Sequence, residues 1–435
     1  MRWFLGAILL LAAALALGLG LLAYAMYALL GVMLFSRLLS RSWAESLVAQ
    51  RQCNRVSANI GETVAVVVSI ENRGWLPIAW VLLEDVLPRQ ALSAPPVRLR
   101  VVGSRLGLMM FRAGGQKTIY YQLKCEARGY FQIGPLVLET GDLFGLDRRY
   151  RVVTSPHFLL VYPEVVTLEG YDVASQRPIG EVRITHRLFE DPTRISGVRE
   201  YLPGDPLHRV HWRATARTGV LHSKMYEPST ITGATVVLEF NQAAYPARFE
   251  PFRSELAVTA AASLANAVYE MGQQVGLVTN GRDAADRIRQ EGWEHDPRTR
   301  SAALATAQMR PRSERLQPLV VETGRGAEQF LRIRETLARV ELTDGLSFAE
   351  LLMETASRMP RDATVVALLP SVSPETAIAL GSLRRRGFAV TAIVNVYDAD
   401  EFDEAAGRLL AEGIQARHLK DKEGIVTVCR DYVLR

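Results

Sequence analysis

The hydrophobic pattern changes character twice along the chain, and its first stretch is continuous. From Trp3 to Phe35 no residue is charged and almost every position is apolar. A bilayer core needs about 20 helical residues, and a helix of this length would reach roughly 50 Å. We therefore predict a transmembrane segment over residues 1–36, either one tilted helix or two short helices hinged near Gly18-Leu19-Gly20. A cleaved signal peptide ending near Ala14-Leu15-Ala16 is the alternative, although cleavage there would leave an apolar anchor.

Residues 37–165 follow the pattern of short β-strands. Thr63–Ile70 is rich in β-branched residues and has the length of a strand, and the runs after it are separated by breaks that contain Pro or Gly. These further runs are Ile78–Leu83, Val97–Val102, Leu106–Phe111, Thr118–Cys125, Leu136–Thr140 and Phe158–Val161. Regularly spaced short strands with little helical periodicity predict an all-β, sandwich-like module.

Residues 233–435 alternate between buried-type strands and amphipathic helices, with residues 166–232 as a connector. The predicted strands are Ala234–Phe240, Val275–Thr279, Ala363–Leu369, Phe388–Val396 and Ile425–Cys429. The predicted helices are Ser254–Met271, Ala327–Val340, Glu375–Arg386 and Glu401–Glu412. This alternation predicts an α/β domain with a mainly parallel sheet covered on both faces. The polar, Arg-rich stretch Arg282–Gln317 is predicted to be a long surface excursion.

The composition excludes several classes of protein and is compatible with the predicted fold. The 435 residues include 22% charged and 49% hydrophobic residues, which is ordinary globular usage and not that of a disordered, collagen-like or disulfide-stapled chain. The three cysteines match no zinc-binding spacing. Because Arg37, Arg41, Arg51 and Arg55 follow the apolar run against a single Glu45, the positive-inside rule places the soluble domains in the cytoplasm.

The connector contains the most distinctive string of the chain. Leu202-Pro203-Gly204-Asp205 has the composition of a tight turn, because Pro presets φ and Gly accepts an unusual one. Arg199 beside Glu200, and Asp205 near Arg209, are predicted to form ion pairs that hold this turn.

These residues resemble the signature of the bacterial domain-of-unknown-function family fifty-eight, which reads R-E-Y-x-P-G-D, then R-x-I-H-W, then T-A-R-x-G-x-L. The matching residues are Arg199, Glu200, Tyr201, Pro203, Gly204, Asp205, Arg209, His211, Trp212, Thr215, Ala216, Arg217, Gly219 and Leu221. A weaker match covers Arg128–Pro135 and Gly141–Leu146, where Leu143 replaces the family's usual Pro.

The resemblance implies a membrane-anchored protein with a von Willebrand factor A-like C-terminal domain, often an accessory of MoxR-type AAA+ ATPases. Such a domain often binds Mg²⁺ through Asp-x-Ser-x-Ser at the end of its first strand. Here Glu239, Asn241 and Ala243 occupy these positions, and no Asp follows Ala363–Leu369. Because Mg²⁺ prefers carboxylate and hydroxyl oxygens in octahedral array, we predict that this chain has no metal site and needs no cofactor.

Other chemistry is weakly indicated. His208 and His211 would point to opposite faces of a strand, so we expect His211 and Trp212 to pack at a domain junction rather than to bind metal. No Walker A, G-x-G-x-x-G, H-E-x-x-H or G-x-S-x-G string is present. Arg384-Arg385-Arg386 lies near a predicted helix C-terminus, where the helix dipole favours cations, so we expect no nucleic-acid binding.

The sequence thus predicts a non-enzymatic, membrane-anchored scaffold that binds proteins, with a MoxR-type AAA+ ATPase as the expected partner. Its expected role is assembly or maturation of other complexes, at the cell membrane and in contact with membrane lipid. No small-molecule substrate is indicated. Two alternatives remain: a metal-dependent adhesion-type binding protein, and a hydrolase that uses the region of Asp205 and His211.

Overall fold

The computed structural model describes residues 2–93, 96–142, 148–167, 189–202, 210–229, 233–285, 316–360 and 363–433. The chain forms two compact units. Unit 1 comprises Met1–Glu164, Gly281–Gln317 and Arg334–Gly345, and unit 2 comprises Val165–Asn280, Pro318–Ile333 and Leu346–Arg435. Two segments that the sequence places in the C-terminal domain therefore belong to unit 1. Most of the predicted surface excursion, residues 286–315, lies outside the described residues.

The apolar run forms two helices, α1 (Arg2–Ala16) and α2 (Gly20–Ser46). The chain reverses between them at Gly18, whose φ of +70° is readily accessible only to glycine. Within the described residues, α2 is the helix that is long and apolar enough to cross a membrane, and the apolar part of α1, Leu5–Ala16, is shorter. The two-helix version of the prediction is therefore the one observed.

The rest of unit 1 up to residue 162 consists mainly of strands. They are β1 (Leu47–Cys53), β2 (Ser57–Asn59), β3 (Thr63–Asn72), β4 (Ile78–Asp85), then a short helix α3 (Arg89–Ser93), β5 (Leu99–Gly103), β6 (Leu106–Phe111), β7 (Gln116–Cys125), β8 (Gly129–Ile133), β9 (Leu136–Gly141), β10 (Arg148–Thr154) and β11 (His157–Tyr162). Two four-stranded antiparallel sheets have the orders β1-β3-β7-β5 and β10-β9-β4-β6, and a three-stranded sheet has the order β2-β11-β8. Inward side chains of both four-stranded sheets share one buried core.

The lower part of α2 is built into this β-module. Ser36, Ser40, Trp43 and Ala44 are buried, and Trp43 and Ala44 belong to the shared core. The guanidinium of Arg151 on β10 donates hydrogen bonds to the carbonyls of Ala44, Glu45 and Leu47 at 2.9, 3.1 and 3.3 Å, which satisfies main-chain acceptors at the end of the helix. One continuous helix thus carries the apolar segment and a wall of the soluble module.

The connector that precedes the C-terminal sheet contributes β12 (Phe189–Glu200), the short helix α4 (Trp212–Thr218) and β13 (His222–Ser229). The elements that follow are β14 (Gly233–Leu238), α5 (Phe252–Glu270), β15 (Gln274–Thr279), β16 (Arg282–Asp283), β17 (Leu319–Gly324), α6 (Ala327–Arg339), β18 (Val340–Glu341), α7 (Phe348–Thr355), β19 (Ala363–Leu369), α8 (Pro374–Arg385), β20 (Val390–Val394), α9 (Ala399–Ala411), β21 (Gln415–His418) and α10 (Lys422–Val433).

The main sheet of unit 2 has the strand order β17-β15-β14-β19-β20-β21. Every neighbouring pair is parallel except β15 and β17, which are antiparallel. All six residues of the central strand β14 are buried, as expected for a strand covered on both faces. Strand order reverses at β14 and β19, and in such sheets ligands bind outside the carboxyl ends of the strands at this point.

One predicted element is wrong. Ile425–Cys429 was expected to be the final strand, but it lies in α10. Ile425, Val428 and Cys429 are the buried residues of this stretch, and their spacing of three and four is that of one helical face. A short apolar run of mixed period was therefore misread as a strand.

Candidate functional site

The predicted signature residues lie around the paired strands β12 and β13. Gly204, Asp205 and Arg209 fall outside the described residues, and with them the predicted ion pair of Asp205 and Arg209. Arg199 and Glu200 end β12, Tyr201 follows it, and His211, Trp212 and Arg217 belong to α4 and its N-terminus.

Main-chain hydrogen bonds fix this hairpin. Arg199 pairs with Ser223 and Glu200 with His222 in antiparallel register, and the N–H of Tyr201 donates to the carbonyl of Leu221 at 2.8 Å. Ser223, which is buried, also forms a bridge with Val210 on its other side. The start of β13 is therefore held from both sides.

Signature residues also cap α4. The Nδ1 atom of His211 accepts a hydrogen bond from the N–H of Ala214 at 3.0 Å, so this imidazole does the work that Ser or Asp does at most helix N-termini. Gly219 ends the helix with a φ of +72°, and its N–H donates to the carbonyl of Thr215 at 2.9 Å. The hydroxyl of Thr215 in turn accepts from the N–H of His222 at 3.1 Å.

Several side chains around the hairpin are exposed, and Trp212 is 69% exposed. The expectation that Trp212 packs at a domain junction stays a prediction. We call the exposed apolar and basic residues the signature surface: Val198, Leu202, Trp212, Arg213, Arg217, Val220 and Leu221. Arg199 donates to the main-chain oxygen of Glu200 at 3.0 Å, so among the described residues their contact is to the backbone and not the predicted carboxylate ion pair.

The predicted adhesion-type positions lie at the carboxyl end of β14. Glu239 is only 6% exposed, and its Oε2 atom is buried with no hydrogen-bond partner among the described residues. Because burial disfavours the charged form, the pKa of Glu239 is raised to about 8. The carboxyl group is therefore mostly protonated at neutral pH, a state that does not suit a hard cation.

The side-chain amides of Asn241 and Asn280, at the same edge of the sheet, form hydrogen bonds with main-chain groups. The Oδ1 atom of Asn241 accepts from the N–H of Ala243 at 2.9 Å, and its Nδ2 donates to the carbonyl of Leu346 at 3.0 Å. Asn280, at the end of β15, accepts from the N–H of Phe240 at 2.6 Å and donates to the same Leu346 carbonyl at 2.8 Å. Within the described ranges, no three His, Cys, Asp or Glu side chains lie close enough together to hold a metal ion.

Asn280 was missed in the sequence. The signal that identifies it is a polar residue directly after the buried run Val275–Thr279, the same position that Glu239 occupies after β14. It ties the ends of β14 and β15 to the chain at Leu346.

Two residues of the stretch Arg128–Pro135, which the sequence analysis singled out, have structural roles in unit 1. The buried guanidinium of Arg128 donates to the carbonyls of Leu337 and Val340 at 2.8 and 2.9 Å. Gly134, with a φ of +88°, lies against the guanidinium of Arg51, which any Cβ at position 134 would overlap.

Arg51 is the centre of a fully buried network. It pairs with the carboxylate of Asp85, which also accepts a hydrogen bond from the hydroxyl of Tyr121 at 2.7 Å. Arg51 further donates to the carbonyl of Ser155 at 2.8 Å. Arg51, which the sequence counted among the charges flanking the membrane run, is thus an interior residue of the folded module.

Comparison with known proteins agrees with the signature. Residues 197–318 match the family described as "Protein of unknown function DUF58", which confirms the expected resemblance. The uncharacterized protein YeaD of Bacillus subtilis (strain 168) is 26% identical over 270 residues, covering 62% of this chain and 65% of YeaD. The match thus spans slightly less than two thirds of that relative's length.

Solved structures resemble parts of the chain. The SpRpn10 VWA domain is 11% identical with a TM-score of 0.30, over 46% of this chain and 94% of that domain. The CARDB domain of the PF1109 protein from Pyrococcus furiosus is 8% identical with a TM-score of 0.18, over 26% of this chain and 91% of that domain. Both TM-scores are low, and the fold is defined by the strand order and register of the chain itself.

Proposed function

We propose that this chain is a membrane-anchored, non-enzymatic interaction protein whose signature surface docks a MoxR-type AAA+ ATPase during assembly or maturation of other complexes. The observation that carries the proposal is the exposure of Trp212 together with the apolar side chains of Val198, Leu202, Val220 and Leu221 on a hydrogen-bonded hairpin.

The chemistry of this surface is that of a protein-docking site. Trp and Arg are the residues most enriched among those that dominate binding energy in interfaces, and Trp212 lies next to Arg213 and five residues before Arg217. The caps at His211 and Gly219 hold the backbone, so little conformational entropy would be lost on binding. The basic side chains favour a partner surface that carries carboxylates beside apolar groups.

The partner class comes from the family resemblance, and the location from the N-terminal helices. The length and composition of α2 support a membrane anchor. The exposed Arg37 and Arg41 directly after the apolar segment support a cytoplasmic position for both units.

The residues at the carboxyl end of β14 support a binding role without catalysis. The alternation of strands and helices in unit 2 supports the von Willebrand factor A-like interpretation. The position that would carry the first metal ligand holds Glu239, whose carboxyl group is buried and largely neutral. Asn241 uses both amide atoms in hydrogen bonds to the main chain.

The test measures binding of the purified full chain, reconstituted in nanodiscs, to the MoxR-type AAA+ ATPase of the same host. We expect saturable binding that Trp212→Ala weakens at least about tenfold, the effect of losing an interface hot spot. The matched control is Trp75→Ala, because Trp75 is 81% exposed and lies outside the hairpin.

Two results would contradict the proposal. One is absence of binding, or equal weakening by Trp212→Ala and Trp75→Ala. The other is a hydrolytic activity of the purified chain that a substitution at Asp205 or His211 removes without loss of folding.

A further inference from the structure

A groove of about 630 Å³ opens on unit 1, and helix α2 forms one of its walls. Its apolar lining includes Trp43 from α2, Ile78 from β4, and Met110 and Phe111 from β6. Trp43, Ile78 and Phe111 are buried in the module core, whereas Met110 is 70% exposed. The groove therefore joins the core of the β-module to its surface.

The groove is close to the end of the apolar segment. Trp43 follows Phe35 by eight residues, about 12 Å along a helix. Ser36, the residue directly after Phe35, is already buried, so the β-module begins where the apolar segment ends. The headgroup layer of a bilayer extends about 5–8 Å beyond its hydrocarbon core on each side, so the groove opens close to the outer edge of that layer.

The apolar surface continues beyond the groove along an edge strand. Leu106, Leu108 and Met110 of β6 are 45%, 70% and 70% exposed, and β6 pairs only with β4 within its sheet. An exposed apolar edge in water promotes aggregation unless something covers it. Acyl chains are an occupant that suits this stripe and its position.

The polar lining of the groove is cationic. Arg112 and Lys117 are exposed, and neither forms an ion pair with a described residue. The ammonium of Lys117 lies 5.9 Å from the centroid of the Phe111 ring, so the charge is directly beside the apolar wall. Among the described residues no Asp or Glu lines the groove, so its charge suits a ligand with an anionic head and an apolar tail.

We propose that this groove binds one anionic glycerophospholipid of the surrounding bilayer. The acyl region contacts Trp43, Ile78 and Met110, and the phosphate accepts hydrogen bonds from Arg112 and Lys117. This inference rests on the membrane anchoring in the proposed function and does not depend on the ATPase partner.

The test uses the full chain in phosphatidylcholine vesicles that contain a trace of phosphatidylglycerol with a photoactivatable diazirine in one acyl chain. After irradiation, mass spectrometry locates the cross-linked peptides. We expect cross-links around Ile78 and Met110 as well as on α1 and α2. Unlabelled phosphatidylglycerol should compete at the groove, and unlabelled phosphatidylcholine should not.

A charge-reversal pair supplies the second readout. The double variant Arg112→Glu/Lys117→Glu should reduce groove cross-linking about tenfold or more, the effect of losing charge-assisted hydrogen bonds to phosphate, with α2 cross-links unchanged. The control Arg98→Glu/Arg100→Glu makes the same charge change at exposed positions of the β-module that do not line the groove, and should leave both sets of cross-links intact.

Each outcome bears on a different claim. Cross-links confined to α1 and α2, or groove cross-links that survive the charge reversal, would overturn the lipid site. Loss of cross-links from α2 as well would instead overturn the membrane anchoring. Loss of ATPase binding with the groove cross-links retained would overturn only the docking proposal.

Discussion

Each unit buries a carboxyl group, and the two groups have opposite surroundings. Asp85 in unit 1 lies in the Arg51–Tyr121 network, where the side chains of Arg51 and Asp85 have no exposed surface. Glu239 in unit 2 is also buried, but within the part of the chain that the structure describes its Oε2 atom has no hydrogen-bond partner. Both oxygens of Asp85 accept hydrogen bonds, whereas one oxygen of Glu239 accepts none from those residues.

The two sites show how a neighbouring cation changes the effect of burial on a carboxyl group. At Asp85 the guanidinium of Arg51 compensates the charge, and the same network raises the pKa of Tyr121 far above its ordinary value through burial and the adjacent carboxylate. At Glu239 burial is the only cause acting on the pKa, which rises to about 8. Asp85 therefore serves structure as a paired ion, whereas Glu239 serves it as a neutral acid that titrates near neutral pH.

The largest effect is expected from Arg51→Ala. Removing one partner of a buried ion pair leaves the other charge uncompensated, which costs about 3–5 kcal/mol of unfolding free energy. The measurement is chemical denaturation of the full chain in detergent, followed by a probe in the β-module.

The control for this variant is Arg73→Ala. Arg73 pairs with Glu71 at 3.2 Å, and the two side chains are 64% and 44% exposed, so the expected loss is below about 1 kcal/mol. Similar losses for the two variants would show that burial does not distinguish the pairs.

The second prediction concerns pH and Glu239→Gln. The folded pKa of Glu239, about 8, lies above its ordinary value of 4.5, so between these values the folded state binds more protons than the unfolded state. The unfolding free energy therefore falls as pH rises, by about 2–3 kcal/mol between pH 5 and pH 7 through this group. Glu239→Gln, which remains neutral, should remove that decline when thermal unfolding is followed against pH.

Asp85→Asn is the matched comparison in the other unit, because it neutralises the paired carboxylate. It should destabilise the β-module already at pH 7 through the loss of charge opposite Arg51. A decline between pH 5 and pH 7 that persists unchanged in Glu239→Gln would mean that other groups dominate the titration.

The third prediction concerns Gly134. It separates the steric overlap of a new Cβ with Arg51 from the backbone strain of a positive φ. Gly134 and Gly61 have φ values of +88° and +89°, but only at Gly134 would a Cβ overlap the Arg51 guanidinium, and at Gly61 nothing lies within 4 Å. Both substitutions by Ala incur the strain of a positive φ, about 1 kcal/mol or more, so Gly134→Ala should lose about 2 kcal/mol more than Gly61→Ala. Equal losses of unfolding free energy in the two variants would show that the Arg51 side chain shifts to make room for the Cβ without further destabilisation.

Much of the fold was predictable because period and length are local properties. Leu106–Phe111 and Ala363–Leu369 were predicted with the observed bounds, since each is an apolar run between breaks. Leu47–Cys53 was missed because it continues directly from α2 without a turn signal. The antiparallel strand β17 (Leu319–Gly324) was missed for a similar reason, since it directly follows the polar excursion.

The chemical roles were less predictable because they depend on residues distant in sequence. The string around His211 indicated the right segment, but not that the imidazole caps a helix. The contact of Gly134 with Arg51 joins residues 83 positions apart (134 − 51 = 83), and no local pattern marks it. The exposure of Trp212 contradicts the usual burial of large aromatic residues, and only the fold shows it.

The smallest effect is expected at His211, because its imidazole contributes one capping hydrogen bond, from the N–H of Ala214. His211→Ala removes the side-chain acceptor of the Ala214 N–H, which then donates to the main-chain carbonyl of His211 alone, and it should destabilise α4 by about 1 kcal/mol, read as faster amide exchange at Ala214 and Thr215. His211→Asn keeps a side-chain acceptor at the N-cap and should restore protection to within a few tenths of a kcal/mol. If Asn fails where His succeeds, the imidazole has a role beyond capping, and the signature surface would have to include it. Rescue by Asn would instead confine His211 to holding the backbone on which Trp212 is displayed.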